Sequence, residues 1–183
     1  MAGMRGHFLL SAAVLALAAN RAPAEVVDSA SNGFVVRITV NIKAAPDEVY
    51  RRIVHNVGDW WNSEHTFSHD SHNLTIEEKA TGCFCEKLPN NGGVRHMEVI
   101  YLAPGKALIL SGALGPLHSI AATGNMTFDL SPADGGTTLV VSYAVHGYLK
   151  AGMNTWAAPV DGVLVEQITR LKNYIERGNQ AAK

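Results

Sequence analysis

From Phe34 the chain alternates apolar and polar positions. Phe34, Val36, Ile38, Val40 and Ile42 are interleaved with Val35, Arg37, Thr39 and Asn41. A period of two predicts a half-buried strand over 34–42. The pattern then switches. Pro46 followed by Asp47 and Glu48 predicts a helix start. Proline loses nothing at the first helical position, and the two carboxylates meet the positive end of the helix dipole. Val49, Ile53 and Val54 supply the buried stripe of that helix, and Trp60-Trp61 closes the unit as an aromatic plug. Residues 25–32 read as a polar lead-in. Residues 55–71 read as a loop or short-helix region rich in aromatics and histidine.

Short strands follow in series, over 74–77, 83–88, 94–102, 107–112, 124–130 and 137–146. Pro89-Asn90-Asn91-Gly92-Gly93, Ala103-Pro104-Gly105-Lys106 and Ser131-Pro132-Ala133-Asp134-Gly135-Gly136 mark turns between them. Gly115-Pro116 interrupts the series. Val160, Leu164, Ile168, Leu171 and Ile175 then recur at helical spacing, with Pro159 near the start and Gly178 as the stop. Gly162 falls in the first turn of this helix, where a side chain is expected to lack room. The order predicts an α+β fold: a curved antiparallel sheet of about six or seven strands, covered by the one long helix at the end.

The first 24 residues stand apart from this pattern. Arg5 precedes an apolar run over 8–19, and Ala22-Pro23-Ala24 supplies an Ala-x-Ala cleavage site. The segment reads as a secretory signal peptide cleaved after Ala24. Its run is too short for a membrane span, which needs about 20 residues. The remainder, 25–183, is expected to be one domain without a stable membrane anchor, secreted or periplasmic. With 15 Lys and Arg against 16 Asp and Glu, the net charge is −1. No basic cluster invites nucleic acid or an anionic surface.

Cys83 and Cys85 are two apart on a predicted strand. That spacing puts their Cα atoms about 6.5–7 Å apart, at or past the limit for bridging. They read first as two small apolar side chains on one face, with a strained bridge or a metal site as alternatives.

The segment Ile42-Lys43-Ala44-Ala45-Pro46-Asp47-Glu48-Val49-Tyr50, the Trp60-Trp61 pair and the closing strand Gly136-Thr137-Thr138-Leu139-Val140-Val141 together resemble the START/Bet v1-like (SRPBCC) superfamily. The nearest branch is that of the Hsp90 ATPase activator and the polyketide cyclases. The resemblance covers roughly residues 34–177. It implies a helix-grip fold with an elongated cavity between the sheet and the C-terminal helix. A signal peptide departs from common members and argues against an Hsp90 role, which needs a cytosolic partner.

Under that reading the cavity walls come from Met97, Val99 and Tyr101, from Met126 and Phe128, from Val141, Tyr143 and Val145, and from Leu164 and Ile168 on the helix. Strand alternation puts Arg95 on the same face as Met97, where its guanidinium either pairs with a ligand carboxylate or emerges at the strand end into solvent. His96 and Glu98 fall on the opposite face. Trp60 and Trp61 either gate the mouth or staple the first helix to the sheet. His65, His69, Asp70 and His72 match no zinc spacing, so no metal is expected there; solvated loop histidines or a pH-sensitive lid are the alternatives. No nucleophile, phosphate-loop or zinc-protease motif occurs, and no cofactor is expected. Three functions follow, in this order. The first is an exported binder of a small hydrophobic or lipid-like molecule. The second is a cyclase or dehydratase-type enzyme using Tyr143, Arg95 or His65. The third is an envelope protein-interaction module.

Overall fold

The computed structural model of the chain describes residues 24–177. Strands β1 (Ala24–Ala30) and β2 (Gly33–Ile42) lead into helices α1 (Pro46–His55) and α2 (Val57–Trp60). Strands β3 (Leu74–Ile76), β4 (Cys83–Leu88), β5 (Gly92–Ala103), β6 (Ala107–Gly112), β7 (Ala121–Ala133) and β8 (Gly136–Tyr148) follow, and helix α3 (Ala157–Arg177) closes the chain. All eight strands belong to one antiparallel sheet in the order β1-β2-β8-β7-β6-β5-β4-β3. The strands β3 to β8 form a meander, and β8 then pairs with β2 from Gly33↔His146 to Ile42↔Thr137.

Local chemistry explains most of these elements. Every second residue of β2 from Phe34 to Ile42 is buried. Pro46 opens α1, with Asp47 and Glu48 in its first turn and Arg52 and His55 in its last, so its charges complement the helix dipole at both ends. Asn90 and Asn91 both take positive φ, the backbone that a two-residue turn needs to match the strand twist. The sheet is longer by one strand than the alternation suggests. Residues 25–30, read as a polar lead-in, pair with β2 as an edge strand. They bury no side chain, so no apolar period announces them. The expected signal peptide lies outside the described residues, apart from the backbone of Ala24. Gly178 lies outside them too.

The sheet wraps around α3. Helix α3 packs on β2, and Leu164, Ile168 and Leu171 share a single buried core with Val36, Ile38 and Val141. Gly162 is exposed, and a Cβ built on it meets nothing within 4 Å. The expectation of a crowded position there is corrected.

Two bulges in β5 reset its faces. Phe84 pairs with Met97 but Cys85 pairs with Arg95, so His96 is an extra residue on β5. Val99 pairs with Leu110 but Tyr101 with Ile109, which leaves Ile100 extra. A bulge places two residues opposite one and breaks the in-out alternation. His96 and Met97 are therefore both buried in succession, while Ile100 and Tyr101 are both exposed. Beside the first bulge the Cα atoms of Cys83 and Cys85 approach to 5.3 Å, and the two form a disulfide. The reading of two unlinked small side chains is thereby corrected: it assumed a regular strand, and this one is bent.

Candidate functional site

A cavity of about 250 Å³ lies between α3, the 61–67 segment, β4, β5 and the 114–117 segment. Its buried floor consists of Trp61, Thr66, Leu74, Phe84, His96, Leu117 and Leu164. Glu64, Phe67, Pro116 and Pro159 are exposed at its rim, so it opens to solvent on that side. The aromatic floor is edge-packed. The Trp61 and Phe84 rings lie 5.8 Å apart at 73°, and Phe84 and His96 5.3 Å apart at 43°. Phe67 stacks on the other side of His96 at 5.9 Å and 19°.

His96 is the one titratable group of the floor. Its Nε2 lies 3.0 Å from Oε2 of Glu86, which is itself buried. Glu86 also accepts the backbone N–H of Phe67 at 3.1 Å and that of Ser68. Burial pushes the Glu86 carboxyl up, but the bonds from Ser68, Phe67 and His96 outweigh it and hold the group below its ordinary range. For His96, burial pushes the imidazolium down more than Glu86 restores it. At neutral pH these directions favour a carboxylate beside a neutral imidazole. An ionised carboxylate only accepts hydrogen bonds, so Nε2 carries the proton and Nδ1 presents a lone pair. That Nδ1 is buried and has no partner.

The 61–73 segment is tied down at many points. Asn62 donates its backbone N–H to Gln167 Oε1 at 2.8 Å, and its side-chain amide bonds Glu166. His65 Nε2 lies 3.1 Å from Glu166 Oε2, and Arg170 donates to Trp60 O at 2.9 Å. Three residues of α3 thus grip one side of the cavity. On the other side, a Cβ at Gly58 would come within 2.9 Å of Ser71 O. Only glycine lets α2 sit that close to the turn Ser71–Asn73, and Ser71 Oγ donates to Gly58 O at 2.8 Å.

No family model and no curated protein matches this sequence. Solved structures do. DynU16, from the dynemicin biosynthetic locus, superposes with a TM-score of 0.58 at 19% identity, covering 81% of this chain. This chain spans about half of DynU16, 49% of its length. CalU16 from Micromonospora echinospora gives 0.52 at 17% identity, over 80% of this chain and 76% of that one. The Aha1 dimer from Colwellia psychrerythraea gives 0.54 at 16% identity, over 79% and 97%. The chain has the helix-grip fold. At these identities the likeness is one of fold.

Within the helix-grip frame, the residues singled out by sequence fall into three places. Trp61, His65 and Leu164 line the cavity. Trp60, Met97, Val99, Met126, Phe128, Val141, Tyr143, Val145 and Ile168 are buried in the surrounding core and do not line it. Trp60 donates Nε1–H to Arg52 O at 3.1 Å, stapling α1. Arg95 and Tyr101 are exposed on the outer face, Arg95 paired with Glu98 at 3.0 Å. Their inward placement is corrected by the two bulges, as is the outward placement of His96. Tyr143 Oη donates to Gly112 O at 3.1 Å and accepts from Leu114 N at 3.3 Å. It braces the 112–114 rim, and burial pushes its pKa up to about 12. His72 Nδ1 pairs with Asp70 at 2.9 Å and His65 faces Glu166, so these histidines do not converge.

Sequence reasoning missed Glu86, Leu117, Phe84 and Trp156 as site residues. Only Gly115-Pro116 hinted at the segment carrying Leu117, a short 3-10 helix, Gly115–Ser119.

Proposed function

We propose that this chain is an exported binding protein for a small, largely apolar molecule, held in the helix-grip cavity under α3. The observation that carries the reading is the open cavity of about 250 Å³ with a mainly apolar floor and two buried polar residues, Thr66 and His96. Ligand pockets are typically apolar with a few placed polar atoms. Drug-sized ligands occupy about 300–1,000 Å³, so the volume favours a compact molecule over a long acyl chain. Exposed large apolar side chains are spread over β1, the β5 bulge, the end of β8 and the cavity rim. None of these gives a reason to prefer a protein-docking role.

A cyclase-type reaction needs two polar groups converging on one point of the cavity. Tyr143 spends its hydroxyl on the rim backbone, Arg95 is outside, and His65 is engaged by Glu166. Binding is the reading these placements favour. The test is native mass spectrometry of protein purified from its own host, with subcellular fractionation alongside. A co-purifying mass of a few hundred daltons in the exported fraction is the expected result. An empty protein with no rise in melting temperature across a library of small apolar compounds would end the reading, and retention of uncleaved protein in the cytoplasm would end the export part.

A further inference from the structure

The disulfide Cys83–Cys85 ties β4 to itself. Both cysteines belong to one strand, and only Phe84 separates them. The bridge therefore joins no two elements of the fold. A cross-link restricts the unfolded chain more as the loop it closes grows longer, and this loop is nearly the shortest a chain can form. The strand is held without it: Cys85 stands in register between Thr75 on β3 and Arg95 on β5. A bridge with so little of the fold to hold suits exchange better than bracing. Its place makes it reachable. Phe84 lines the cavity, whereas Cys83 and Cys85 are partly exposed on the outer face of the sheet, beside the exposed Thr75 and Arg95. The two sulfurs also have unlike neighbours. Cys85 pairs across the sheet with Arg95, and Cys83 with Glu98; residues directly opposite share a face and come within side-chain reach. The Cys83 backbone N–H donates to Glu77 Oε2 at 3.2 Å, which brings a second carboxylate to that end. Arg95 Nη1 lies 3.0 Å from Glu98 Oε2, which steadies the guanidinium on this face. A guanidinium stabilises a neighbouring thiolate and a carboxylate opposes one. Cys85 is thus the better leaving sulfur.

We propose that Cys83–Cys85 is a thiol–disulfide exchange site, separate from the cavity, whose substrates are the paired cysteine thiols of other proteins. A substrate thiolate attacks Cys83 Sγ. The Cys83–Cys85 bond breaks, and Cys85 leaves as a thiolate beside Arg95. The substrate's second thiolate then attacks the first substrate sulfur, which releases Cys83 and closes the substrate disulfide. The substrate loses two electrons and this chain gains them. The two protons of the substrate thiols end on Cys83 and Cys85. Oxidised glutathione, or another small disulfide, returns the pair to its bridged form. The proposal stands whether or not the cavity binds a ligand.

The experiment follows the return of activity to reduced, denatured ribonuclease A in a glutathione buffer at pH 7.5, with the purified chain added in substoichiometric amount. Activity is expected to return about threefold or more faster than with the double variant Cys83→Ser, Cys85→Ser. Arg95→Gln is expected to fall between the two, because its leaving sulfur has lost the neighbouring charge. The double variant should keep the fold, since the bridge joins no two elements. If it does not, the wild-type chain reduced and blocked with iodoacetamide takes its place as the control. A wild-type chain that restores activity no faster than its control overturns the proposal. Arg95→Gln at the full wild-type rate overturns the role given to Arg95.

Discussion

Glu86 joins three separate donors beside the cavity. One carboxylate takes the backbone N–H groups of Phe67 and Ser68 and the ring N–H of His96, all in a buried place. Glu86→Ala leaves three donors without an acceptor, at about 1–3 kcal/mol each before relaxation. The expected loss is about 3–5 kcal/mol in chemical denaturation, and a loss under about 1 kcal/mol would show that water replaces the carboxylate. The same pair sets an acid dependence. His96 titrates lower in the folded chain, chiefly because of burial, with Glu86 opposing and the neighbouring His118 adding to the fall. As pH drops below about 6.5, the unfolded chain takes up this proton first. Stability is thus fully present above that pH and is lost as pH falls through the folded value. Glu86 is also held low, so a second loss sets in below about pH 4.5. Denaturation midpoints measured from pH 8 to 2 should fall in these two steps. His96→Gln should shrink the upper one; coincident wild-type and variant profiles would assign that step to another group.

At the scale of elements, β5 decides which of its residues line the cavity. Its first bulge turns His96 inward and Arg95 outward, and its second turns Tyr101 out. Strict alternation is a rule about regular strands, and one extra residue inverts everything beyond it. Helix α3 presents the opposite case, where the pattern held but one residue was misjudged. Gly162 lies exposed within α3 with open space at its missing Cβ. Glycine inside a helix costs about 0.5–1 kcal/mol relative to alanine. Gly162→Ala should therefore raise stability by about that amount in a denaturant melt. A destabilised variant would mean that the helix needs flexibility at this turn.

For the whole molecule, the decisive property is that the sheet and α3 enclose a hollow and do not close into a solid interior. Val163 lines that hollow from α3 and is only half-buried. Val163→Phe should place a ring in it without overpacking the core. Affinity for the small apolar compound that most raises the melting temperature of the unaltered protein is expected to drop more than tenfold in calorimetry, with the variant's own melting temperature unchanged or raised. Unaltered affinity would place the bound probe elsewhere on the protein. The grip of Glu166, Gln167 and Arg170 on the 60–73 segment holds the open side of the cavity in one shape.

Much of the architecture was legible along the chain because periodicity and turn chemistry are local. The alternation in 34–42, the Pro46 helix start, the Asn90-Asn91 turn and the stripe from Leu164 to Leu171 each report their own element. The edge strand Ala24–Ala30 was not legible, because residues 25–30 bury no side chain. The polar centre of the cavity belonged to tertiary structure alone. Glu86, His96 and Phe67 meet only after a bulge, a hairpin and a distant segment come together. Which side a residue faces in a bent strand is settled by its partners across the sheet, and those are set by the fold.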